Sequence, residues 1–402
     1  MEWLDPSYVS SLVVEQGMTI PELSSHLKQI YPDEKGLSES NLRNFCSHHG
    51  ISRRQFVTDV ELREAVAKGV GEVGGTYGRK MMAAHLKNNG VVASEGRVGK
   101  TLGEVHPFYH HRRQTGTHKQ LNPVSYHAPH FGYNLHLDQN EKLVDFGVTF
   151  VLAVDGCSGF IPSFSVMKTK TMLSSTEMFS CEFPSFGVCK LTSCLKAVTS
   201  YGLWEQVIVD HGTEFFLSLF MQSYYRQVSQ SQRPPYRQVQ STVNNRVERL
   251  WVEVNQRVGY PIKQALLDLE NTTTISRENE VDAKAISDVS IFVANHGISL
   301  YVRSWNNHSV PGKGCPSKFV TERKNISIDH LVVTSEDAVT MYQQQRPEAR
   351  ITLDEPDASI GERISIIEEK INTVDKIFGS IVNNDSKSFH QAILLYRELL
   401  IN

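Results

Sequence analysis

Between Asn134 and Asp210 the hydrophobic pattern takes on the period of strands, and this constrains the fold more than any other feature of the chain. Asn134–Asp138, Gly147–Asp155 and Gly159–Val166 are alternating or continuously apolar, and Asp155-Gly156 sits where a hairpin turn belongs. Helical and loop segments follow as far as Tyr201-Gly202. Gln206-Val207-Ile208-Val209-Asp210 is then a short apolar strand closed by a carboxylate. Three successive strands, a helix, a buried strand and more helices predict an α/β core with a mixed sheet. Downstream, Val247–Leu269 has a long helical pattern with Pro261 as a kink or break, and Val281–Asn295 is helical again. Trp305-Asn306-Asn307-His308 and Pro311–Pro316 read as loop. Beyond about Asn325 the chain turns acidic, and Ile364–Phe378 and Phe389–Leu400 are amphipathic helices that either pack on the core or mediate assembly.

The residues before the strands are helical. Tyr8–Leu12 and Val13–Gln16 read as a helix closed by Gly17; Thr19 caps a second, with Pro21 in its first turn; Ser38 caps a third that ends near Gly50. Three short helices fit a helix-turn-helix unit, and equally a plain three-helix bundle. Val60–Val70, Tyr77–Leu86 and Ser94-capped Glu95–Leu102 repeat the pattern, with Arg97 and Lys100 on the last helix as candidate DNA contacts or as charges on a solvated face. His106–Lys119 is basic and aromatic; Arg112 and Arg113 suit a linker that touches phosphate, and its histidines match no zinc spacing. The expected organisation is therefore 1–52 helix-turn-helix, 53–125 second helical region and basic linker, 126–325 mixed α/β core, and 326–402 acidic helical extension.

Net charge is −3, no signature of a dedicated nucleic-acid binder, but residues 51–130 are locally basic between acidic ends. The six cysteines contain no C-x-x-C pair, which argues against a disulfide framework or a simple zinc ribbon. The first ten residues lack the apolar stretch of a signal peptide, and no run of about 18 apolar residues suggests a membrane span. A reducing compartment, cytoplasm or nucleus, is expected.

Three carboxylates stand where phosphoryl-transfer chemistry would need them: Asp138 in the first strand, Asp210 at the end of a later strand, and Glu248 near the start of a long helix. Two Mg²⁺ ions about 4 Å apart can activate an attacking oxygen and stabilise a leaving one. Mg²⁺ takes hard oxygen ligands and keeps several waters, so a few carboxylates on rigid elements suffice. Clustered without metal, the acids repel and at least one should resist ionisation. Asp155 competes as the first acid but suits a turn. Glu214 reads as a neighbour, and His136 shares a strand face with Asp138. Arg246, Arg249, Arg257 and Lys263 are either phosphate contacts or the polar side of a helix.

Leu135-His136-Leu137-Asp138, Val151–Gly159, Val207–Phe215 and Asn245-Arg246-Val247-Glu248-Arg249-Leu250-Trp251 resemble, in order, the four signatures of the retroviral-integrase and DDE-transposase catalytic core. Asp138-Gln139-Asn140-Glu141-Lys142-Leu143 and Glu248-Arg249-Leu250-Trp251 are similar to runs in the integrase-core proteins of animals. The resemblance covers roughly residues 10–320. It implies an RNase H-like core and a metal-dependent polynucleotidyl transferase, with Asp138, Asp210 and Glu248 as the D, D and E ligands of two Mg²⁺ or Mn²⁺ ions. It further implies DNA ends and target DNA as partners, a homo-oligomer and a nuclear location. The sequence departs from the pattern at Leu135, where a Trp is usual, at Gln139 and at Gly159. The alternative is a domesticated, non-catalytic DNA-binding protein that keeps the fold.

Overall fold

The computed structural model describes residues 3–15, 18–51, 57–108, 126–168, 184–212, 214–227, 232–240, 244–310, 314–322, 333–347, 351 and 357–401. The first unit contains α1 (Pro6–Ser10), a π-helical turn (Ser11–Glu15), α2 (Ile20–Ile30) and α3 (Glu39–His48). Its local signals are those the sequence carries. Thr19 and Glu22 close a reciprocal capping box on α2, and Ser38 caps α3. Leu12, Leu23, Leu27, Leu42 and Phe45 meet in a small core of their own.

The helices α4 (Asp59–Val73), α5 (Arg79–Asn88) and α6 (Glu95–Val105) behave differently. Leu62, Val66, Val70, Met82, Leu86, Val98 and Leu102 belong to the same hydrophobic cluster as one face of the central sheet.

That sheet is built from β1 (Asn134–Leu143), β2 (Val148–Asp155), β3 (Ser163–Lys168), β4 (Gln206–Val209) and β5 (Tyr236–Gln238), in the order β3-β2-β1-β4-β5. β1 to β3 form an antiparallel meander, and β4 and β5 run parallel to β1. Every residue of β2 is buried, because both faces of the sheet are covered. Phe150, Leu152 and Val154 point into one cluster; Val151 and Ala153 point into the other.

The second cluster is covered by α7 (Pro184–Tyr201), α8 (Phe216–Arg226) and, further along, α12 (Ser335–Gln345). The first is covered by α9 (Asn245–Val254), a π-helical turn (Asn255–Gly259), α10 (Tyr260–Thr272) and α11 (Glu280–Asn307). The break within the long helical pattern lies in this π turn. Pro261 simply opens α10, where its missing N–H costs nothing.

α11 runs to Asn307, so Trp305-Asn306-Asn307 is helix where the sequence suggested loop. Tertiary bonds extend it: Asn306 both accepts from Ile161 N–H and donates to the Ile161 carbonyl, and the Trp305 indole donates to Gly159 O. Among the described residues α11 is the one helix long and apolar enough to cross a membrane, and two-thirds of its apolar window is buried inside the fold.

The C-terminal helices α13 (Ile360–Lys370), α14 (Val374–Val382) and α15 (Lys387–Ile401) pack on the same core. The amphipathic stretch Ile364–Phe378 is two helices, because Thr373 starts a new one. Phe378 lies against Gly297 of α11 so closely that a Cβ there would sit 2.3 Å from its ring. Polar anchors flank this contact. Tyr396 donates to Asp288, Lys284 pairs with Asp288 and Asp357, and Asn383 donates to the carbonyls of Val70 and Gly71.

Candidate active site

β1 has two unlike faces. Leu135 and Leu137 enter the apolar cluster under α7 and α8. His136, Asp138 and Asn140 are buried on the opposite side, and each meets a residue at the start, middle or end of α9. Asn244, immediately before α9, donates to Leu137 O and lies 2.6 Å from His136 Nδ1. Trp251 donates its indole N–H to Asp138 Oδ2 at 2.9 Å. Asn140 donates to Asn255 Oδ1 at 3.1 Å, at the first residue of the π turn. Polar residues at period two on a strand thus match positions along one helix.

Asp138 is 6% exposed. Burial pushes its carboxyl up to about 7; the Trp251 hydrogen bond opposes this, while the charges of Glu248 and Asp210 add to it. The carboxyl of Glu248 is raised as well, first by burial and then by Asp210. Asp210 follows directly on β4 and accepts from Gly212 N–H. The fold therefore brings the three acids into electrostatic range of one another. Among the described residues, however, no three His, Cys, Asp or Glu side chains close into a group that could hold a metal ion.

His136 is held neutral: burial lowers it to about 4. Its two nitrogens are engaged, Nδ1 with Asn244 Oδ1 and Nε2 with the Tyr126 hydroxyl at 2.8 Å. Asn244 Nδ2 already donates to Leu137 O, so Oδ1 accepts and Nδ1 carries the proton. Nε2 then accepts from Tyr126, whose oxygen in turn accepts from Asn134. This network engages both ring nitrogens of His136.

Asp155 is a structural acid. Fully buried, it accepts from Gly132 N–H, Trp204 Nε1, Ser158 N–H and Ser158 Oγ. It closes the turn that the sequence suggested, and it also anchors Trp204. Glu214 folds back against Gly212, where a Cβ would meet its Oε2 at 1.7 Å.

The basic candidates differ in availability. Arg97 is engaged with Val57 O and Asp59, whereas Lys100 on the same helix is exposed. Arg246 is half-buried with its guanidinium 4.4 Å from the Tyr126 ring centroid, and Arg249 is exposed. Arg257 is buried and paired with Glu253, so it is not on the polar side of the helix. Arg112 and Arg113 lie outside the described residues. Cys46, Cys157, Cys194 and Cys315 are free thiols.

The mixed sheet, with an acid buried in its first strand, a second just beyond the fourth and a third in the helix packed against them, fits the RNase H-like arrangement. The family of integrase core domains matches residues 125–321. Residues 125–321 form an integrase core domain. No curated protein matches the chain. An integrase core implies an integrase- or transposase-like function in general; domains of this family bind DNA, and such cores usually work with divalent metals. The residues present fit such ions in kind. Asp138, Asp210 and Glu248 offer hard carboxylate oxygens, the donor type that such ions take.

Asn244 and Trp251 are the functional neighbours that reading the acids alone missed. Trp251 stands three residues after Glu248, a spacing that puts both on adjoining parts of one helix face, so its position was readable. Asn244 offered only its place before a helix, which suggests a cap; instead its side chain crosses to β1.

Proposed function

We propose that this integrase core cuts and joins DNA strands, with Asp138, Asp210 and Glu248 as the acids of a D,D,E site. The observation that carries this reading is the gathering of the three acids on neighbouring elements: burial first raises Asp138 and Glu248, and beside it Asp138 feels the charges of Glu248 and Asp210, and Glu248 feels that of Asp210. Two Mg²⁺ or Mn²⁺ ions bound by these acids would supply positive charge to the attacking and leaving oxygens of a phosphoryl transfer. The chain's own part is positional. β1 and α9 carry Asp138 and Glu248, and Asp210 follows β4, the parallel neighbour of β1. His136, neutral and doubly bonded, orients the strand.

The reaction class is hydrolysis of a DNA strand followed by transesterification, in which the freed 3′-hydroxyl attacks a phosphodiester of a second duplex and that strand's own 3′-oxygen leaves as a hydroxyl. Of the described candidate cations, Arg249 and Lys100 are the exposed ones, open to phosphate. Holding two DNA ends would call for a homo-oligomer, and a DNA substrate for a nuclear site of work. The test is strand transfer on oligonucleotide duplexes in Mg²⁺ or Mn²⁺. Asp210→Asn is expected to abolish it, and full activity in that variant would sink the reading.

A second reading, a domesticated DNA-binding protein that keeps the fold without catalysis, is favoured by the departures from the family pattern at Leu135 and Gln139 around the first acid. It predicts DNA binding that ignores Mg²⁺ and survives loss of all three acids.

A further inference from the structure

Trp251 lies in the buried stripe Val247, Leu250, Trp251, Val254 that seats α9 on the sheet. Packing alone would account for its ring, but not for the direction of its indole N–H. A buried N–H without an acceptor is costly, and this one is aimed at Asp138 Oδ2, 2.9 Å away. The helix that carries Glu248 thus also grips the carboxylate of Asp138, one turn further on. The grip is held from both sides, since Asn244 ties the start of α9 to Leu137 O and Asn255 ties its end to Asn140. With the helix pinned at both ends and the ring fixed in the core, Asp138 has one orientation that satisfies the indole.

We propose that Trp251 is the positioning residue of the first acid: by holding Oδ2, it fixes the rotamer of Asp138 and determines which oxygen is presented to a divalent cation. The inference rests on the D,D,E reading above. Groups that orient a metal ligand from behind typically contribute about 10- to 100-fold to metal affinity, and this is the effect the Trp251 N–H should have.

The test is Mn²⁺ binding to the full chain by calorimetry, with metal-free thermal unfolding run beside it. Wild type is compared with Asp138→Asn, Trp251→Phe and Trp251→His. Trp251→Phe, which keeps a ring and removes the donor, is expected to weaken Mn²⁺ binding about 10- to 100-fold while unfolding cooperatively. Trp251→His restores an N–H and is expected to recover part of the loss. Should Trp251→Phe fail to fold, replacing tryptophan by its benzothienyl isostere removes the N–H with the shape kept, and the same loss is expected. Wild-type affinity in Trp251→Phe or the isostere, with binding lost in Asp138→Asn, overturns the role of Trp251 and leaves the site standing. Unchanged binding in Asp138→Asn, or no binding in wild type, overturns the site and this inference with it.

Discussion

Asn244 Oδ1 accepts from His136 Nδ1–H at 2.6 Å while its own amide donates to Leu137 O. A residue at the start of α9 therefore reads both the side chain and the backbone of β1, and it sets where the helix begins relative to the strand. The carbonyl of Asn244 also receives the N–H of Glu248, so this junction fixes the turn on which the third acid stands. Asn244→Leu would leave the Leu137 carbonyl and the His136 N–H buried without partners. Each such loss costs about 1–3 kcal/mol. Denaturant unfolding of the variant should show a destabilisation of that order, and a change below about 0.5 kcal/mol, the ordinary surface range, would refute the junction's importance.

The pH dependence of stability tests the site without any substrate. Asp138 titrates near 7 in the fold, against 3.8 for a free side chain. Between these values the folded chain keeps a proton that the unfolded chain has released, so stability falls as pH rises, by at most about 1.4 kcal/mol per pH unit. His136 does the reverse. Its folded value is about 4 against 6.5, so its contribution is present above 6.5 and is lost as pH falls toward 4. The two slopes oppose each other across the same window. In chelator, the wild type is expected to be flatter between pH 4 and 6.5 than either single variant. Asp138→Asn should gain stability as pH rises, and His136→Gln should lose it. Thermal unfolding at half-unit intervals measures this, and parallel profiles for all three proteins would count against buried, oppositely shifted groups.

The C-terminal helices give a prediction about folding. Phe378 is almost fully buried against Gly297, and a Cβ on that glycine would collide with its ring. Phe378→Ala removes a core aromatic, a change that costs about 3–5 kcal/mol. Gly297→Ala overpacks the same contact, at about 1–3 kcal/mol. If α13 to α15 were only an assembly module, both variants would alter oligomeric state and leave the unfolding of the integrase core unmoved. The structure predicts the opposite, a lower unfolding temperature for the whole cooperative unit.

The strands were legible in the sequence because their signals are local. An apolar run ending in Asp210, and alternation around Asp138, need no knowledge of distant partners. α2, α3 and α6 announced themselves through Thr19, Ser38 and Ser94 for the same reason. What escaped was decided by contacts far apart in sequence. Asn306 keeps α11 helical through Ile161, and the break after α9 is a π turn whose first residue meets Asn140. Arg257 looks like a surface cation by type, but lies buried beside Glu253 near the rings of Tyr77 and Tyr301. The sharing of one core by α4 to α6, the sheet and α13 to α15 is likewise a matter of packing that no short pattern encodes.

The basic residues separate into those that can meet phosphate and those already engaged, and DNA binding should follow that division. Arg249 is exposed one residue beyond Glu248, and Lys100 is exposed on α6. Arg97 is spent on Asp59 and Val57 O, and Arg246 lies over Tyr126 beside the His136 network. A cation that contacts phosphate releases condensed counterions on binding, so its removal lowers affinity across all sequences and reduces the slope of log affinity against log salt by about 1. Arg249→Ala is expected to do both without changing the unfolding temperature. Lys100→Ala should do the same if α6 also lies along the duplex. Arg246→Ala should instead lower the unfolding temperature, because it strips a half-buried ring of its cation. Binding of a fluorescent duplex at several salt concentrations, measured alongside thermal unfolding, separates the two classes. An unchanged salt slope in Arg249→Ala would mean that the exposed side of α9 does not face DNA.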